Sequence, residues 1–228
     1  MPQPDLVIFD CDGVLVDSEI IAARVDAGLL SAAGYPIDAD DYAERFAGLT
    51  FRDILLRVEA ESQIPFQARL IDESERLLDE RLRAEVRAIE GAHEAVASVQ
   101  TKRCICSNSK LHRLQFMLEK VRLLPFFGEH IYSARDNPGI RHKPAPDIFL
   151  QAAKKEGARP EATFVVEHSV HGVTGAVAAG MRVIGFTGAS HTYPGHADQL
   201  TDAGAETVIR RWADFAGSLA ALSEWSEA

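Results

Sequence analysis

Short runs of apolar residues recur along this 228-residue chain and decide what it can fold into. Each run is continuous rather than alternating, which is typical of strands buried on both faces of a parallel sheet. The runs are DLVIFD (5–10), RCICS (103–107), HIYSA (130–134), TFVVE (163–167), RVIGF (182–186) and ETVI (206–209). Helical patterns separate them, so the sequence predicts an α/β fold with a Rossmann-like parallel sheet built from βαβ units.

The alternation of strands and helices breaks between residues 19 and about 87, where the sequence shows no buried strand. Here EIIAARVDAGLLSAAG indicates a helix that stops at a glycine, and FQARLIDESERLLDERLRAEV indicates a long amphipathic helix. The apolar face of the second helix would be formed by Leu70, Ile71, Leu77, Leu78 and Leu82. We therefore predict a Rossmann-like core (residues 1–16 and 88–228) and an inserted helical cap (residues 17–87).

The net charge of the chain limits which kinds of molecule it can bind. The formal net charge is −10. A nucleic acid or an anionic membrane would need a basic face, so we expect neither as a partner. No stretch approaches the roughly 20 apolar residues of a membrane span, and the first residues lack the pattern of a signal peptide. We expect a cytoplasmic protein, a monomer or a weak dimer, that acts on a small molecule.

The three cysteines, Cys11, Cys104 and Cys106, are too sparse for a disulfide framework and fit a reducing compartment. Cys104 and Cys106 alternate on one predicted strand, so both face the same side. Such a pair either packs in the core or holds a metal. Core packing is the favoured interpretation, because buried cysteine behaves as a small hydrophobic residue.

Polar residues follow the predicted strands at the points where the strands end. Because ligands of open parallel sheets bind beyond the carboxyl ends of the strands, we expect these side chains to meet at one edge. The set is Asp10, Asp12, Ser107, Asn108, Lys143, Glu167 and His168. By itself, the adjacent acid and imidazole at the end of TFVVEH leave three uses open: holding a metal, transferring protons, or ending a strand.

Together these residue types favour phosphoryl transfer. Such a site needs positive charge and hydrogen-bond donors around a phosphate, with a nucleophile in line with the leaving oxygen. A carboxylate can be that nucleophile. A second carboxylate two residues along, as Asp12 is to Asp10, can handle the proton. Mg²⁺ binds through a few carboxylates together with the phosphate.

The order of these motifs resembles the haloacid dehalogenase superfamily, in the phosphatase branch with a helical cap inserted after the first motif. DCDGVLVDSE (10–19) fits the signature DxDGV-D, and CSNS, HKPAPDIF and VVEHSVHG follow in the family's order. The resemblance covers the whole chain. Its nearest branches are sugar-phosphate phosphatases, phosphoglycolate phosphatases and β-phosphoglucomutases.

The resemblance implies a role for each matching residue. Asp10 would be the nucleophile and a metal ligand. Asp12 would protonate the leaving alcohol and then activate water, while its backbone carbonyl also binds the metal. Ser107 and Asn108 would bind the transferring phosphoryl group. Lys143 would neutralise charge on Asp10 and on the phosphate.

The fourth motif departs from the family pattern. The resemblance implies that Glu167 and the next residue hold a Mg²⁺ ion, and the usual pair is Glu-Asp, whereas this chain has Glu167-His168. Imidazole suits softer transition metals, so we predict that His168 makes a poor Mg²⁺ site and that Mn²⁺ or Co²⁺ serves better.

One cap segment, FAGLTFRDIL (46–55), stands out because Gly48 and Thr50 interrupt the helical pattern and Arg52 follows. In similar proteins this loop faces the core site and reads the substrate. The resemblance therefore implies that Arg52 grips a remote phosphate, carboxylate or hydroxyl; the alternative is a surface arginine at a helix start. Four further histidines are given no role: His142, His171, His191 and His196.

The sequence thus predicts a Mg²⁺-dependent phosphatase that hydrolyses a small phosphorylated metabolite, a sugar phosphate or similar polyol, through an aspartyl-phosphate. Two alternatives stay open. A β-phosphoglucomutase-like mutase is disfavoured, because mutases of this type carry a histidine in the first cap helix, where this chain has Ile20, Ile21 and Ala22. A binding protein with an impaired metal site is the other alternative.

Overall fold

The computed structural model describes residues 3–46 and 49–224. Within these residues six strands form one parallel sheet in the order β3-β2-β1-β4-β5-β6. The strands are β1 (Leu6–Phe9), β2 (Lys102–Ser107), β3 (Ile131–Ser133), β4 (Thr163–Glu167), β5 (Arg182–Phe186) and β6 (Thr207–Ile209). Every strand predicted from an apolar run is confirmed, and so is the α/β, Rossmann-like fold class.

Helices fill the connections between strands. They are α1 (Glu19–Ala32), α2 (Ala39–Arg45), α3 (Phe51–Ser62), α4 (Arg69–Glu85), α5 (Ala92–Ser98), α6 (Leu111–Lys120), α7 (Leu124–Phe127), α8 (Asp147–Glu156), α9 (Val170–Ala178), α10 (His196–Asp202) and α11 (Phe215–Glu224). The two helices predicted between residues 19 and 87 are α1 and α4. Within the described residues, none of the helices has both the length and the apolar character needed to span a membrane.

The sheet is buried on both faces, which explains why its strands read as continuous apolar runs. In β1, Val7 and Phe9 join one hydrophobic cluster, whereas Leu6 and Ile8 join a second cluster on the other face. Cys104 and Cys106 belong to the second cluster and are fully buried. Burial raises the pKa of the Cys104 thiol. These two cysteines therefore pack as core residues, as expected.

Helices α1 to α4 form the inserted segment and share a hydrophobic cluster of their own. Its buried members are Ala23, Ala27, Leu30, Tyr42, Phe46, Ile54, Leu55 and Val58. The last turns of α4 instead reach the core, because Leu82 and Val86 pack in the first sheet cluster. The limits of the cap at residues 17 and 87 stay predictions.

A group of ion pairs joins α4 to α6 of the core. The side chain of Arg113 is nearly buried, and its Nε lies 2.6 Å from Asp79 Oδ1 while its Nη2 lies 2.7 Å from Glu75 Oε2. Arg135 adds a contact of 2.7 Å to Glu75 Oε1. Glu75 and Asp79 are 23% and 28% exposed, so solvent weakens these ion pairs relative to fully buried ones. Arg113 itself is buried, and removing both acids would leave its charge without a partner. The helix that carries these acids is therefore firmly attached to the core.

A buried carboxyl, Asp26, lies inside the cap. Its oxygens accept hydrogen bonds from Tyr42 Oη (2.9 Å) and Ser74 Oγ (2.5 Å). Burial raises the pKa of Asp26 to about 6, and the two hydroxyl donors only partly oppose this. A carboxyl whose pKa is higher in the folded chain than in the unfolded chain destabilises the fold once it must ionise.

We therefore predict that Asp26→Asn stabilises the protein by about 2 kcal/mol at pH 8. The pKa of Asp26 is near the ordinary value of 3.8 in the unfolded chain and near 6 in the folded chain, a difference worth about 3 kcal/mol. Asparagine has one acceptor oxygen for the two hydroxyl donors, which offsets about 1 kcal/mol of that gain. The gain should therefore grow between these pH values and stay constant above them. Urea unfolding of both forms from pH 4 to pH 8 measures it. Asp72→Asn, an exposed acid of α4, is the matched control. A gain that is the same at pH 4 and pH 8 would contradict the explanation.

Candidate active site

A cavity of about 690 Å³ lies between the carboxyl edge of the sheet and the cap. The core contributes most of the residues predicted for the site: Asp10, Asp12, Ser107, Asn108, Lys143 and His168. Glu167 lies directly beneath this surface and is fully buried. The centre of the sheet, where β1 lies between β2 and β4, is the point at which an open α/β sheet binds its ligands.

The Lys143 ammonium bridges the strand ends from a buried position. Its Nζ donates to Asp10 Oδ1 (2.9 Å), to Glu167 Oε1 (2.6 Å) and to the carbonyl of Cys106 (2.7 Å). Burial lowers the pKa of Lys143, but the charges of Asp10 and Glu167 outweigh it and raise the pKa above the usual value. Lys143 is therefore a permanent cation at the floor of the cavity.

The Asp10 carboxyl is held ionised between two nitrogen groups. Its Oδ1 faces Lys143, and its Oδ2 lies 3.3 Å from His168 Nδ1. Burial raises the pKa of Asp10, yet Lys143 and His168 together bring it below the ordinary value. A buried carboxylate that is kept charged in this way can act as a nucleophile at neutral pH.

Three hydroxyl groups hold the Asp12 carboxylate. Ser18 Oγ donates to Oδ1 (2.7 Å), while Ser109 Oγ (2.7 Å) and Ser107 Oγ (3.3 Å) donate to Oδ2. The sequence analysis did not predict a role in the site for Ser18 or Ser109. The signal for Ser109 was present, because it lies two residues beyond Ser107 in the motif that follows β2.

The side chain of Asn108 fixes the loop that carries Lys143. Its Oδ1 accepts from the backbone N–H of Lys143 (3.0 Å), and its Nδ2 donates to the carbonyl of the same residue (3.4 Å). Ser107 Oγ accepts from the backbone N–H of Ser109 (3.0 Å) and faces Asp12. Phosphate binding by Ser107 and Asn108 stays a prediction.

Glu167 is anchored by the start of α9. Its Oε2 accepts from the backbone N–H groups of His168 (2.9 Å) and Ser169 (3.0 Å) and from Ser169 Oγ (3.0 Å). The same serine caps α9 by accepting from Gly172 N–H (3.0 Å). A Cβ on Gly172 would lie 1.9 Å from the Glu167 carboxyl carbon, so only glycine leaves room for this acid.

His168 lies among carboxylates. Besides Asp10, its ring is 3.9 Å from Glu167 Oε2 and 3.9 Å from Glu19 Oε1. Burial lowers the pKa of His168, but the contact and charge of Asp10, with help from the two glutamates, raise it to about 9. The ring is therefore charged at neutral pH when no cation competes with its proton.

Two histidines that were given no role surround His168. The ring of His191 meets it edge to face at 4.9 Å, and His196 Nε2 donates to the carbonyl of His168 (2.7 Å). Tyr193 stacks on His196 at 4.7 Å. Burial and the charge of His168 lower the pKa of His191 to about 2, so it stays neutral. The loop after β5 lies at the same sheet edge, which is the one signal that could have identified these residues.

Gly13 lets the two imidazoles approach the nucleophile loop. Its φ is +64°, a left-handed conformation that favours glycine. A Cβ there would lie 2.7 Å from His191 Cε1 and 2.9 Å from His168 Cδ2. Glycine at position 13 therefore allows both the left-handed turn and the close packing of the two histidine rings against it.

One cluster in the described residues has the composition and spacing of a metal site. A ligand atom from each of Asp10, Glu167 and His168 lies within 4.8 Å of the others, and all three residues are buried. His168 Nδ1 has no aligned hydrogen-bond partner, so its lone pair can serve a cation once the proton leaves. Two carboxylates and an imidazole fit a divalent ion such as Mn²⁺ or Co²⁺, whereas Mg²⁺ prefers an all-oxygen set.

The predicted cap loop reaches the cavity, but not through Arg52. That side chain is exposed in the first turn of α3 and does not line the cavity, whereas Thr50 and Asp53 do. Thr50 Oγ1 caps the helix by accepting from the backbone N–H of Asp53 (3.2 Å). Gly48 lies outside the described residues. A substrate contact by Arg52 stays a prediction.

The chain is similar to known proteins in both sequence and fold. The 6-phosphogluconate phosphatase of Escherichia coli (strain K12) is 31% identical over 199 residues, which cover 85% of this chain and 87% of the relative. A haloacid dehalogenase-like protein of unknown function from Agrobacterium tumefaciens has a crystal structure that is 60% identical. It superposes with a TM-score of 0.92, over 96% of this chain and 99% of its own.

A second crystal structure, of a haloacid dehalogenase family hydrolase from Deinococcus radiodurans with bound phosphate and sodium, is 34% identical. It has a TM-score of 0.81 and covers 95% of both chains. The sequence itself matches the haloacid dehalogenase-like hydrolases over residues 4–180. Since that match spans more than half of the chain, this protein belongs to the haloacid dehalogenase-like hydrolase family.

Proposed function

We propose that this chain is a metal-dependent phosphatase that hydrolyses a small phosphorylated metabolite of the sugar-phosphate class through an aspartyl-phosphate on Asp10. One observation carries the proposal. The Asp10 carboxylate lies at the floor of the cavity, kept ionised by Lys143 and His168. Named phosphatase relatives support the substrate class, among them the phosphorylated carbohydrates phosphatase of Thermotoga maritima, 28% identical over 90% of this chain.

In the first step an Asp10 oxygen attacks phosphorus, and the bond between phosphorus and the leaving alcohol oxygen breaks. Asp12 donates a proton to that oxygen. In the second step water attacks the phosphorus of the acyl phosphate, Asp12 accepts a proton from this water, and Asp10 and inorganic phosphate are released. The three hydroxyls around Asp12 fix its orientation for both transfers.

Asp10, the backbone carbonyl of Asp12, Glu167 and His168 would hold the divalent ion. When bound, the ion would neutralise charge between the attacking carboxylate and the phosphate. Lys143 already supplies part of this neutralisation from the opposite side of Asp10. Because His168 must lose its proton to become a ligand, metal binding here competes with protonation.

The contact between His168 and Asp10 also favours a second candidate, a phosphate-ester binding protein with an impaired metal site. A charged imidazole paired with Asp10 makes the carboxylate a weaker nucleophile. No comparable observation favours the mutase, since α1 presents Glu19 and Ala22 to the cavity and has no histidine. Turnover with several divalent ions separates the enzyme from the binding protein.

We predict that Asp10→Asn abolishes phosphatase turnover, a loss of several orders of magnitude, because the attacking carboxylate is removed. We also predict that Asp12→Asn lets the aspartyl-phosphate accumulate, because no group then activates the attacking water. A 4-nitrophenolate leaving group needs no proton, so Asp12→Asn should release one equivalent of it in a burst and then stall. Mass spectrometry should locate the added phosphoryl group on Asp10. Thermal melts of both variants check folding. Full turnover by purified Asp10→Asn would overturn the mechanism.

We predict that His168→Asp raises turnover with Mg²⁺ at least about tenfold, which corresponds to about 1.4 kcal/mol of barrier. In the unaltered protein, turnover with Mn²⁺ should increase as the pH rises toward 9, because His168 then loses its proton. Assays of both forms with Mg²⁺, Mn²⁺ and Co²⁺ measure these effects.

His171→Asp is the matched control. His171 lies on α9 and lines the cavity, but within the described residues it forms no ion pair with a carboxylate. It should leave the metal preference unchanged. Saturation of the unaltered protein at sub-millimolar Mg²⁺, with no gain in His168→Asp, would contradict this account.

A further inference from the structure

The core loop between β5 and α10, residues 187–195, reaches His168 at the carboxyl edge of the sheet. Two histidines of this region contact His168: His191 lies in the loop, and His196 is the first residue of α10. The chemical steps of the proposed function use neither of them. They therefore surround one residue of the proposed metal site without belonging to that site.

The backbone of His168 is fixed on both sides. Its N–H donates to Glu167 Oε2 (2.9 Å), and its carbonyl accepts from His196 Nε2 (2.7 Å). His196 is buried, and the ring of Tyr193 stacks on it with centroids 4.7 Å apart and an angle of 12° between the planes. Because the stacked ring is not free to turn, its Nε2 stays directed at the carbonyl. His196 therefore acts on His168 through a hydrogen bond.

The ring of His191 acts on His168 through shape alone. The two planes are perpendicular, at 89°, with centroids 4.9 Å apart. Both nitrogens of His191 are buried and have no hydrogen-bond partner among the described residues. Gly13 packs against both rings, since a Cβ there would lie within 3.0 Å of each. His191 therefore fills the space beside the His168 ring and limits the rotamers that this ring can adopt.

The neighbours of His191 in the chain are tied down. The backbone N–H of Ser190 donates to Asp17 Oδ1 (3.1 Å), and Ser190 Oγ donates to Asp17 Oδ2. Thr192 Oγ1 donates to the carbonyl of Thr187 (3.1 Å). Asp17 belongs to the segment between β1 and α1, so the loop is anchored to a second part of the chain. Contacts on both sides of His191 therefore set the position of its ring.

We infer that His191 and His196 are positioning residues for His168. Together they hold its ring with Nδ1 directed at Asp10 Oδ2, 3.3 Å away. In this orientation the nitrogen belongs to the cluster that His168 forms with Asp10 and Glu167, so the ligand is in place before an ion arrives. Groups that orient a metal-binding imidazole strengthen its site, and their loss typically lowers metal affinity about 10–100-fold. The inference rests on the metal site of the proposed function.

Phenylalanine should replace one of these histidines but not the other. His191→Phe keeps the ring and should bind Co²⁺ about as tightly as the unaltered protein, whereas His191→Ala should bind it at least about tenfold more weakly. His196→Phe keeps the ring beside Tyr193 but removes the donor, so it should also lose at least about tenfold. His196→Gln, whose amide can donate to the same carbonyl, should restore most of the affinity.

Calorimetric titration of Co²⁺ into each protein measures the affinity, and the visible spectrum of the bound ion responds to the loss of an imidazole ligand. His171→Ala is the control, since His171 also lines the cavity but has no ring contact with His168 within the described residues. Thermal melts check folding. Unchanged affinity in His191→Ala or in His196→Phe would overturn the inference. So would a loss in His191→Phe as large as that in His191→Ala.

Metal-free crystals separate failure of this inference from failure of the proposed metal site. If the unaltered protein binds no Co²⁺, the proposed metal site is wrong, and the position of the His168 ring still tests the inference. His168 Nδ1 should keep its contact with Asp10 in His191→Phe and in His196→Gln, and should move away in His191→Ala. A ring that stays beside Asp10 in His191→Ala would overturn the inference.

Discussion

The three-way contact of the Lys143 ammonium is the interaction on which the site depends. It joins the ends of β1, β2 and β4 through Asp10, the Cys106 carbonyl and Glu167. Buried carboxylates of like charge this close together are tolerated only when cations are placed between them. The Lys143 side chain is only 4% exposed. Without the two acids, its buried ammonium would have no charge partner, and it would either lose its proton or destabilise the fold around it.

Charged side chains of both signs meet at the floor of the cavity. Lys143 contacts Asp10 and Glu167, and His168 lies close to the same two acids. Asp12 and Glu19 add two further acids at this end, so carboxyl groups outnumber the nitrogen cations there. The net charge of the floor therefore depends on whether His168 carries its proton and on whether a metal cation is bound.

The sequence was sufficient for the fold because each buried strand is an uninterrupted apolar run, a local signal. It also predicted that Asp10, Lys143 and Glu167 meet at one sheet edge, and the structure brings these three side chains into contact; their roles in catalysis stay predictions. Distant contacts were missed. His191 reaches the site only because the loop after β5 folds back over it, and no local pattern records that. Ser18 was missed although it lies within the motif DCDGVLVDSE, because its contact with Asp12 depends on the turn between β1 and α1. The outward position of Arg52 depends on the orientation of α3, which spacing alone does not determine.

The close approach of Glu167 to Gly172 has a consequence for how this family varies. The Glu167 carboxyl occupies the space in which any other residue at position 172 would carry its Cβ, so a larger residue there requires a change at position 167, five residues earlier. A relative with alanine at the second position must shorten the acid to aspartate or move the start of α9. The two changes should therefore appear together in evolution. The pair would stand out in an alignment as a covarying couple within a single strand–helix turn.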